Sequence, residues 1–211
     1  MEGILILVRH GESQWNALHK WTGWTDIGLS DKGKEEAKKA ASLIKDIPLN
    51  AAFTSTLVRA QQTLEIMLGE LGLTSIPVVK DHALDERNYG IYTGKNKLEI
   101  KTQLGEEEFL KLRRGWDYPI PQGESLKDVY GRVVPYYEKK ILPLLKNGEH
   151  VLVAAHGNSL RALIKYLEHV ADADIAGVEL TTGQVIIYHL DAQGAVTKKD
   201  VRDGQTTHVI Q

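Results

Sequence analysis

The chain of 211 residues contains no cysteine. This absence excludes disulfide bridges, a thiolate nucleophile, and zinc or iron–sulfur centres with cysteine ligands. No run of about 18 apolar residues is present, which is the length that a helix needs to cross a bilayer. The apolar run before Arg9 is also too short for a signal peptide. We therefore expect a soluble, cytoplasmic protein with no membrane partner.

An excess of positive charge is also lacking. Lysine and arginine number 26 against 28 aspartates and glutamates, for a formal net charge of -2. A chain without a basic field is not typical of a nucleic-acid-binding protein, so we expect no nucleic-acid partner. The 42% hydrophobic and 26% charged content is ordinary for a globular protein.

Short apolar runs alternate with amphipathic segments along the chain. The predicted strands are residues 4–8, 51–54, 76–79 and 151–155, with a final hairpin of residues 185–189 and 195–197. One predicted helix starts at Ser30, another starts at Ser55, and a third covers residues 106–114. A fourth follows a capping box at Ser125, extends to about residue 145 and is bent at its prolines, and a fifth covers residues 160–170. This alternation predicts a single domain over residues 1–211, an α/β/α sandwich of three layers with a mostly parallel central sheet. Residues 81–122 are expected to cover one end of the sheet, and residues 200–211 to form a mobile tail.

Basic residues follow three of the predicted strands, at the point where each strand ends. His10 follows the first, His156 follows the fourth, and Arg59 lies in the first helical turn after the second. Because the carboxyl ends of parallel strands share one edge of a sheet, these side chains should converge. Taken alone, Arg9 and His10 are as compatible with an exposed basic pair at the end of a strand as with a functional site. Three such junctions together predict a site for a phosphate-type anion.

The motifs around these junctions resemble a known family. Arg9-His10-Gly11-Glu12-Ser13, Arg59-Ala60 and Ala155-His156-Gly157 are similar to the histidine phosphatase superfamily. Further elements resemble its 2,3-bisphosphoglycerate-dependent phosphoglycerate mutases: Thr22-Gly23-Trp24, Glu86-Arg87-Asn88-Tyr89-Gly90, Asn96-Lys97, Arg113-Arg114 and His156-Gly157-Asn158-Ser159. The likeness extends from about residue 4 to residue 190. It implies the fold of those mutases.

The resemblance also implies roles for individual residues. His10 would be the phosphoryl-accepting nucleophile and Glu86 the general acid and base, while Arg9, Arg59 and His156 would stabilise the transferring phosphoryl group. The residues implied to bind the rest of the substrate are Ser13, Asn16, Thr22, Gly23, Tyr89, Lys97, Arg113, Arg114, Gly157 and Asn158.

The activity implied is interconversion of 3-phosphoglycerate and 2-phosphoglycerate in glycolysis and gluconeogenesis, primed by 2,3-bisphosphoglycerate without a metal. Minor phosphatase or bisphosphoglycerate mutase activity stays open, and so does a homo-oligomer. A phosphatase on the same fold and a catalytically silent phospho-ligand-binding protein are the alternatives. Lys97, Arg113 and Arg114 favour the mutase, because a single phosphate needs fewer cations. The nucleophile and Glu86 disfavour the silent protein.

Overall fold

The computed structural model describes residues 2–203 and 207–210. Its strands are β1 (Gly3–Arg9), β2 (Ala51–Thr54), β3 (Val78–Lys80), β4 (His150–Ala155), β5 (Val185–Leu190), β6 (Val196–Arg202) and β7 (Thr207–Ile210). Its α-helices are α1 (Gln14–Ala17), α2 (Asp31–Ser42), α3 (Val58–Leu71), α4 (Lys97–Leu104), α5 (Glu106–Arg114), α6 (Leu126–Tyr136), α7 (Leu142–Lys146) and α8 (Gly157–Leu167).

All seven strands belong to one sheet in the order β3-β2-β4-β1-β5-β6-β7. The four strands from β3 to β1 are mutually parallel, whereas β5, β6 and β7 are added to β1 in antiparallel fashion. The predicted hairpin is the β5–β6 pair. The α/β class is confirmed, and the parallel half carries the strand ends that matter for function.

Strand β1 shows how the sheet forms the middle of three layers. Leu5 and Leu7 pack into a core with α6 and α8, while Ile6 and Val8 pack into a second core with α2 and α3. Because β1 is buried on both faces, its sequence is continuously apolar instead of alternating. Its charged end therefore marks the place where the chain leaves the core.

Several predicted boundaries are wrong for local reasons. Helix α3 begins at Val58, and Leu57 is its N-cap, so Ser55 is not a helix cap. Helix α8 begins at Gly157 instead of residue 160, because the Ser159 hydroxyl accepts a hydrogen bond from the backbone N–H of His156 at 3.1 Å. Strand β3 lies two residues later than its prediction at the start and one later at the end.

The long helix predicted after Ser125 is a composite. The capping box at Ser125 starts α6 as expected, and Pro135 lies inside that helix. A π-helical segment, Tyr137–Ile141, then connects α6 to α7, which has a proline in its first turn. Pro135 and Pro143 thus flank the irregular segment, and the bend expected at these prolines stays a prediction.

Residues 81–122 contain α4, α5 and two short 3-10 turns, His82–Leu84 and Gly90–Tyr92. The bounds of α5 match the prediction. These elements enclose a small apolar cluster of their own with Trp21 at its centre, against Tyr89 and Phe109. The segment is therefore a packed unit, and its predicted role in covering substrate stays a prediction.

The predicted mobile tail includes residues that form a strand. Asp200 and Arg202 belong to β6, and Arg202 forms an ion pair with Asp46. Residues 204–206 and 211 lie outside the described part of the chain. Within residues 2–203 and 207–210, no helix is long and apolar enough to cross a bilayer.

Candidate active site

The carboxyl ends of β1, β2 and β4 bring the three predicted junctions together. His10 follows β1 and His156 follows β4, and their ring centroids are 5.0 Å apart at an interplanar angle of 61°. Arg59 extends from the first turn of α3, after β2. The parallel order β2-β4-β1 explains the meeting, because it places these strand ends side by side.

His10 is held in one tautomer. Its Nδ1 lies 2.6 Å from the carbonyl oxygen of Gly11, so Nδ1 carries the proton and donates it. Burial lowers the pKa of His10 well below 6.5, and the nearby charges of Arg59 and Arg9 lower it further. The ring is therefore neutral near pH 7, with the lone pair of Nε2 available for nucleophilic attack.

The backbone that carries His10 is packed directly on α2. A Cβ atom on Gly11 would lie 2.1 Å from the carbonyl oxygen of Gly33, so no side chain fits there. The Gly11 N–H also donates to the Thr63 hydroxyl at 3.1 Å. These contacts with α2 and α3 fix the turn and hence the position of the His10 ring.

Two buried arginines carry positive charge beside His10. Arg9 donates from Nη1 to the carbonyl oxygen of Leu180 at 2.5 Å, and Arg59 donates to the carbonyls of Thr25 and Gly23 at 3.1 and 2.8 Å. Neither forms an ion pair with a carboxylate among the described residues. Burial lowers the pKa of the guanidinium groups of Arg9 and Arg59. Two buried guanidinium groups without an ion-pair partner among the described residues make a strong site for an anion.

His156 lies behind His10 and is fully buried. The Ser55 hydroxyl lies 2.7 Å from its Nε2, while its Nδ1 has no hydrogen-bond partner among the described residues. If the hydroxyl donates to Nε2, Nδ1 carries a proton that an incoming phosphoryl oxygen can accept. Burial, followed by the charge of Arg59, lowers the pKa of His156 well below 6.5.

Glu86 is the carboxylate among the residues that line the cleft and is only 8% exposed. Its Oε1 accepts hydrogen bonds from the backbone N–H of Arg87 at 2.7 Å and from the backbone and side chain of Asn158 at 3.2 and 3.0 Å. Its Oε2 and the Arg9 Nε both lie 3.7 Å from the position that a Cβ on Gly157 would take. Oε1 is thus held by the protein, whereas Oε2 accepts no hydrogen bond among the described residues.

A second group of cations lines the same cavity. Lys97 is the first residue of α4, and Arg113 and Arg114 end α5. Burial lowers the pKa of Lys97 to about 8, and Arg113 and Arg9 lower it as well. Arg114 is paired with Glu179, whereas Arg113 forms no ion pair within the described chain.

These residues enclose a cleft with about 660 Å³ of empty space, part of it open to solvent. The predicted site residues that line it are Arg9, His10, Thr22, Gly23, Arg59, Glu86, Tyr89, Lys97, Arg113, Arg114, Gly157 and Asn158. Three buried donors or hydroxyls on its wall have no partner among the described residues: Arg9 Nε, Trp21 Nε1 and Thr22 Oγ1. A buried polar group without a partner is costly, so these atoms indicate a polar ligand.

Comparison with known proteins agrees with this geometry. The family model of the histidine phosphatase superfamily (branch 1) matches residues 5–201. The chain belongs to this superfamily. Among curated relatives, a 2,3-bisphosphoglycerate-dependent phosphoglycerate mutase from Nitrobacter winogradskyi is 49% identical over 94% of this chain and 97% of its own. One of the same name from Parvibaculum lavamentivorans is 44% identical over 99% and 100%. The crystal structure of a phosphoglycerate mutase from Bacillus anthracis shares the fold, with a TM-score of 0.77 and 24% identity over 93% and 91%.

Three predicted site residues, Ser13, Asn16 and His156, do not line the cleft. Ser13 and Asn16 form the capping box of α1, in which Asn16 Oδ1 accepts hydrogen bonds from the Ser13 backbone and hydroxyl. His156 lies behind His10. Their contacts with substrate stay predictions.

Three other wall residues were not predicted as ligands: Trp21, Arg161 and Leu180. Trp21 is buried in the apolar cluster with Tyr89 and Phe109, and its Nε1 has no hydrogen-bond partner among the described residues. Arg161 is buried on α8 between Leu160 and Ala162, so its signal in the sequence is a charge within a short apolar run. Leu180 gave no signal, because it contributes its backbone carbonyl to Arg9.

Within the described chain, no group of three or more histidines, cysteines or carboxylates is placed to hold a metal ion. Activity without a metal stays a prediction for experiment.

Proposed function

We propose that the protein is a 2,3-bisphosphoglycerate-dependent phosphoglycerate mutase, which interconverts 3-phosphoglycerate and 2-phosphoglycerate through a phosphohistidine at His10. The observation that carries the proposal is a single cleft lined both by the neutral His10 with the buried Arg9 and Arg59 and by three further cations, Lys97, Arg113 and Arg114. The names of the curated relatives support the same activity. A place in glycolysis and gluconeogenesis follows from it.

The charges fit a small polyanion. Each phosphate carries about -1.5 to -2 at pH 7, so a bisphosphorylated acid carries roughly -4 to -5 with its carboxylate. The cations available to it are Arg9, Arg59, Lys97, Arg113 and Arg114. The unpartnered donors of Arg9 and Trp21 add hydrogen bonds without displacing any existing contact. These residues fit 2,3-bisphosphoglycerate, which would supply the phosphoryl group that primes His10.

The chain's own residues support phosphoryl transfer by position and charge. His10 Nε2 forms the new N–P bond while the P–O bond to the leaving oxygen breaks. Arg9 and Arg59 stabilise the charge on the equatorial oxygens, and a proton on His156 Nδ1 would do the same. Glu86 Oε2 gives a proton to the leaving oxygen, and in the reverse step it takes the proton of the attacking hydroxyl.

The test is a product assay with purified protein and 3-phosphoglycerate in EDTA, with and without 2,3-bisphosphoglycerate. Phosphorus NMR distinguishes 2-phosphoglycerate from free phosphate. We expect 2-phosphoglycerate as the main product and dependence on the primer. Free phosphate as the main product would instead support a phosphatase, and loss of activity in EDTA would contradict catalysis without a metal.

Two variants on α5 test the second cation group. Arg113→Ala should raise the KM for 3-phosphoglycerate, because it removes an unpaired cation from the cleft. Lys111→Ala is the matched control, since Lys111 lies on the same helix but pairs with Glu107 at the surface. Equal effects of the two changes would contradict the assignment.

Three expectations about the protein's setting stay predictions. They are a cytoplasmic location, a homo-oligomeric state, and minor phosphatase or bisphosphoglycerate mutase activity. Size-exclusion chromatography with light scattering measures the second, and the product assay measures the third.

A further inference from the structure

Arg161 is a buried cation on α8 whose hydrogen bonds connect three parts of the active site. It is 4% exposed and lines the cleft. Its guanidinium forms no ion pair with a carboxylate among the described residues. Burial lowers its pKa to about 10, so it remains protonated at neutral pH. All of its hydrogen bonds go to oxygens of neutral groups.

The first connection reaches the proton-transfer group. Arg161 Nη1 donates to Asn158 Oδ1 at 3.0 Å. This bond fixes the orientation of the Asn158 amide, whose Nδ2 therefore donates to Glu86 Oε1 at 3.0 Å and to the Tyr89 hydroxyl at 2.8 Å. A flipped amide would present its oxygen to the Glu86 carboxylate and repel it.

The second connection reaches the end of α5, which carries Arg113 and Arg114. Arg161 Nη2 donates to the backbone carbonyl of Arg114 at 2.8 Å, where α5 ends and its carbonyls lack helical partners. The third connection reaches the segment after α8, through the carbonyls of Ile175 at 2.6 Å and Val178 at 3.1 Å. The Arg114 side chain also donates to Val178, so both arginines are attached to one segment.

We propose that Arg161 is a positioning residue that sets the placement of Arg114 relative to Glu86, and thereby decides whether phosphohistidine transfers its phosphoryl group to phosphoglycerate or to water. The inference rests on the proposed mutase function. In either outcome the N–P bond of His10 breaks, a P–O bond forms, and Glu86 takes the proton of the attacking hydroxyl or water. A misplaced phosphoglycerate hydroxyl loses this competition, because small displacements greatly reduce the rate of an oriented reaction.

The experiment measures how the label divides between the two products. Enzyme carrying [32P]phosphohistidine is mixed with saturating 3-phosphoglycerate, and label in phosphoglycerates is compared with label in free phosphate. The ratio does not depend on the fraction of folded protein, so a loss of stability alone does not change it. In Arg161→Met we expect the ratio to move about tenfold or more toward free phosphate. The ratio of Arg161→Lys should lie between those of the wild type and Arg161→Met, because lysine keeps the charge but lacks the planar fork of donors.

Lys165→Met is the matched control. Lys165 lies one turn further along α8 and holds the next segment through Asp172 and the Val170 carbonyl, without contacting Asn158 or Arg114. Its ratio should equal that of the wild type. An equal shift in both variants would show general loosening of the segment and would overturn the proposal.

Two further outcomes separate this inference from the proposed function. If the wild type itself sends most of its label to free phosphate, the mutase function fails. If the wild type transfers label and Arg161→Met keeps its ratio within about twofold, the positioning role fails while the mutase function stands. Orthovanadate, a mimic of the transferring phosphoryl group, should bind Arg161→Met within about threefold of the wild type, because Arg9, His10 and Arg59 are untouched. A larger loss would show that the substitution disturbs the phosphoryl site itself and would overturn a role confined to placing Arg114 relative to Glu86.

Discussion

The ionisation of Lys97 should set an alkaline limit on kcat/KM, and substitution of Lys97 by arginine should move that limit. Burial lowers the pKa of Lys97 to about 8, and the charges of Arg113 and Arg9 contribute, while Glu86 opposes the shift. Lys97 is therefore charged at neutral pH and loses its charge within the range where the enzyme can be assayed. Its Nζ lies 5.6 Å from the centroid of the Trp21 ring, on the wall of the cleft.

The size of the effect follows from the titration. With a pKa of about 8, about 90% of Lys97 is charged at pH 7 and about 10% at pH 9. The value of kcat/KM reports ionisations of the free enzyme and free substrate. If the charge is required for binding, kcat/KM for 3-phosphoglycerate should fall about tenfold per pH unit above pH 8. The second phosphate ionisation, near pH 6, and the lowered pKa of His10 both lie below this range.

The assay is kcat/KM from pH 6.5 to about 9.5 in wild type and Lys97→Arg. Arginine stays protonated throughout, so the alkaline fall should disappear or move to higher pH. The same fall in Lys97→Arg would refute the reasoning, because it would assign the ionisation to another group. A wild type that shows no fall up to pH 9.5 would refute it as well.

Three other predictions concern His10, His156 and the residues that contact them. Ser55→Ala removes the hydroxyl that contacts His156 Nε2, and should lower kcat about tenfold or more with little change in KM. Ser55→Thr keeps a hydroxyl and should restore kcat; steady-state kinetics measure kcat and KM for both variants. His10 and His156 are buried with pKa values well below 6.5, so the unfolded chain binds protons that the folded chain does not. The free energy of unfolding should therefore fall as the pH drops below about 6.5, by up to about 1.4 kcal/mol per pH unit for each of the two histidines. In His156→Asn this fall should be smaller by the contribution of one histidine, as measured by urea titrations at pH 7.5 and 5.5. Gly11→Ala places a Cβ 2.1 Å from the Gly33 carbonyl and should destabilise the fold by about 1–3 kcal/mol, measured by thermal unfolding; an unchanged Tm would contradict the close packing.

The sequence-based predictions succeeded where a local pattern determines a local structure. Strand β2 and helix α5 have the predicted bounds, and the cap at Ser30 starts α2 as expected. His10 and His156 could be placed at one edge because buried apolar strands precede both. Parallel strands then bring their ends together without any further information.

The contacts missed by the sequence analysis depend on distant parts of the chain. Ser55 has the composition of a helix cap, but its hydroxyl binds His156, which is 101 residues away. Arg161 reaches Arg114, 47 residues earlier, and no periodic pattern records such a pairing. Ser13 and Asn16 satisfy each other in a capping box, so their polar character has a structural explanation that family motifs alone do not reveal.

The central claim is that His10 carries the phosphoryl group between two hydroxyls of phosphoglycerate. The most direct measurement is a chase of protein labelled with [32P]2,3-bisphosphoglycerate, rapidly mixed with unlabelled 3-phosphoglycerate. The account predicts an acid-labile label on His10 that passes to phosphoglycerate products, and no labelling of His10→Ala. A label that persists in His10→Ala, or that leaves the wild type mainly as free phosphate, would contradict it.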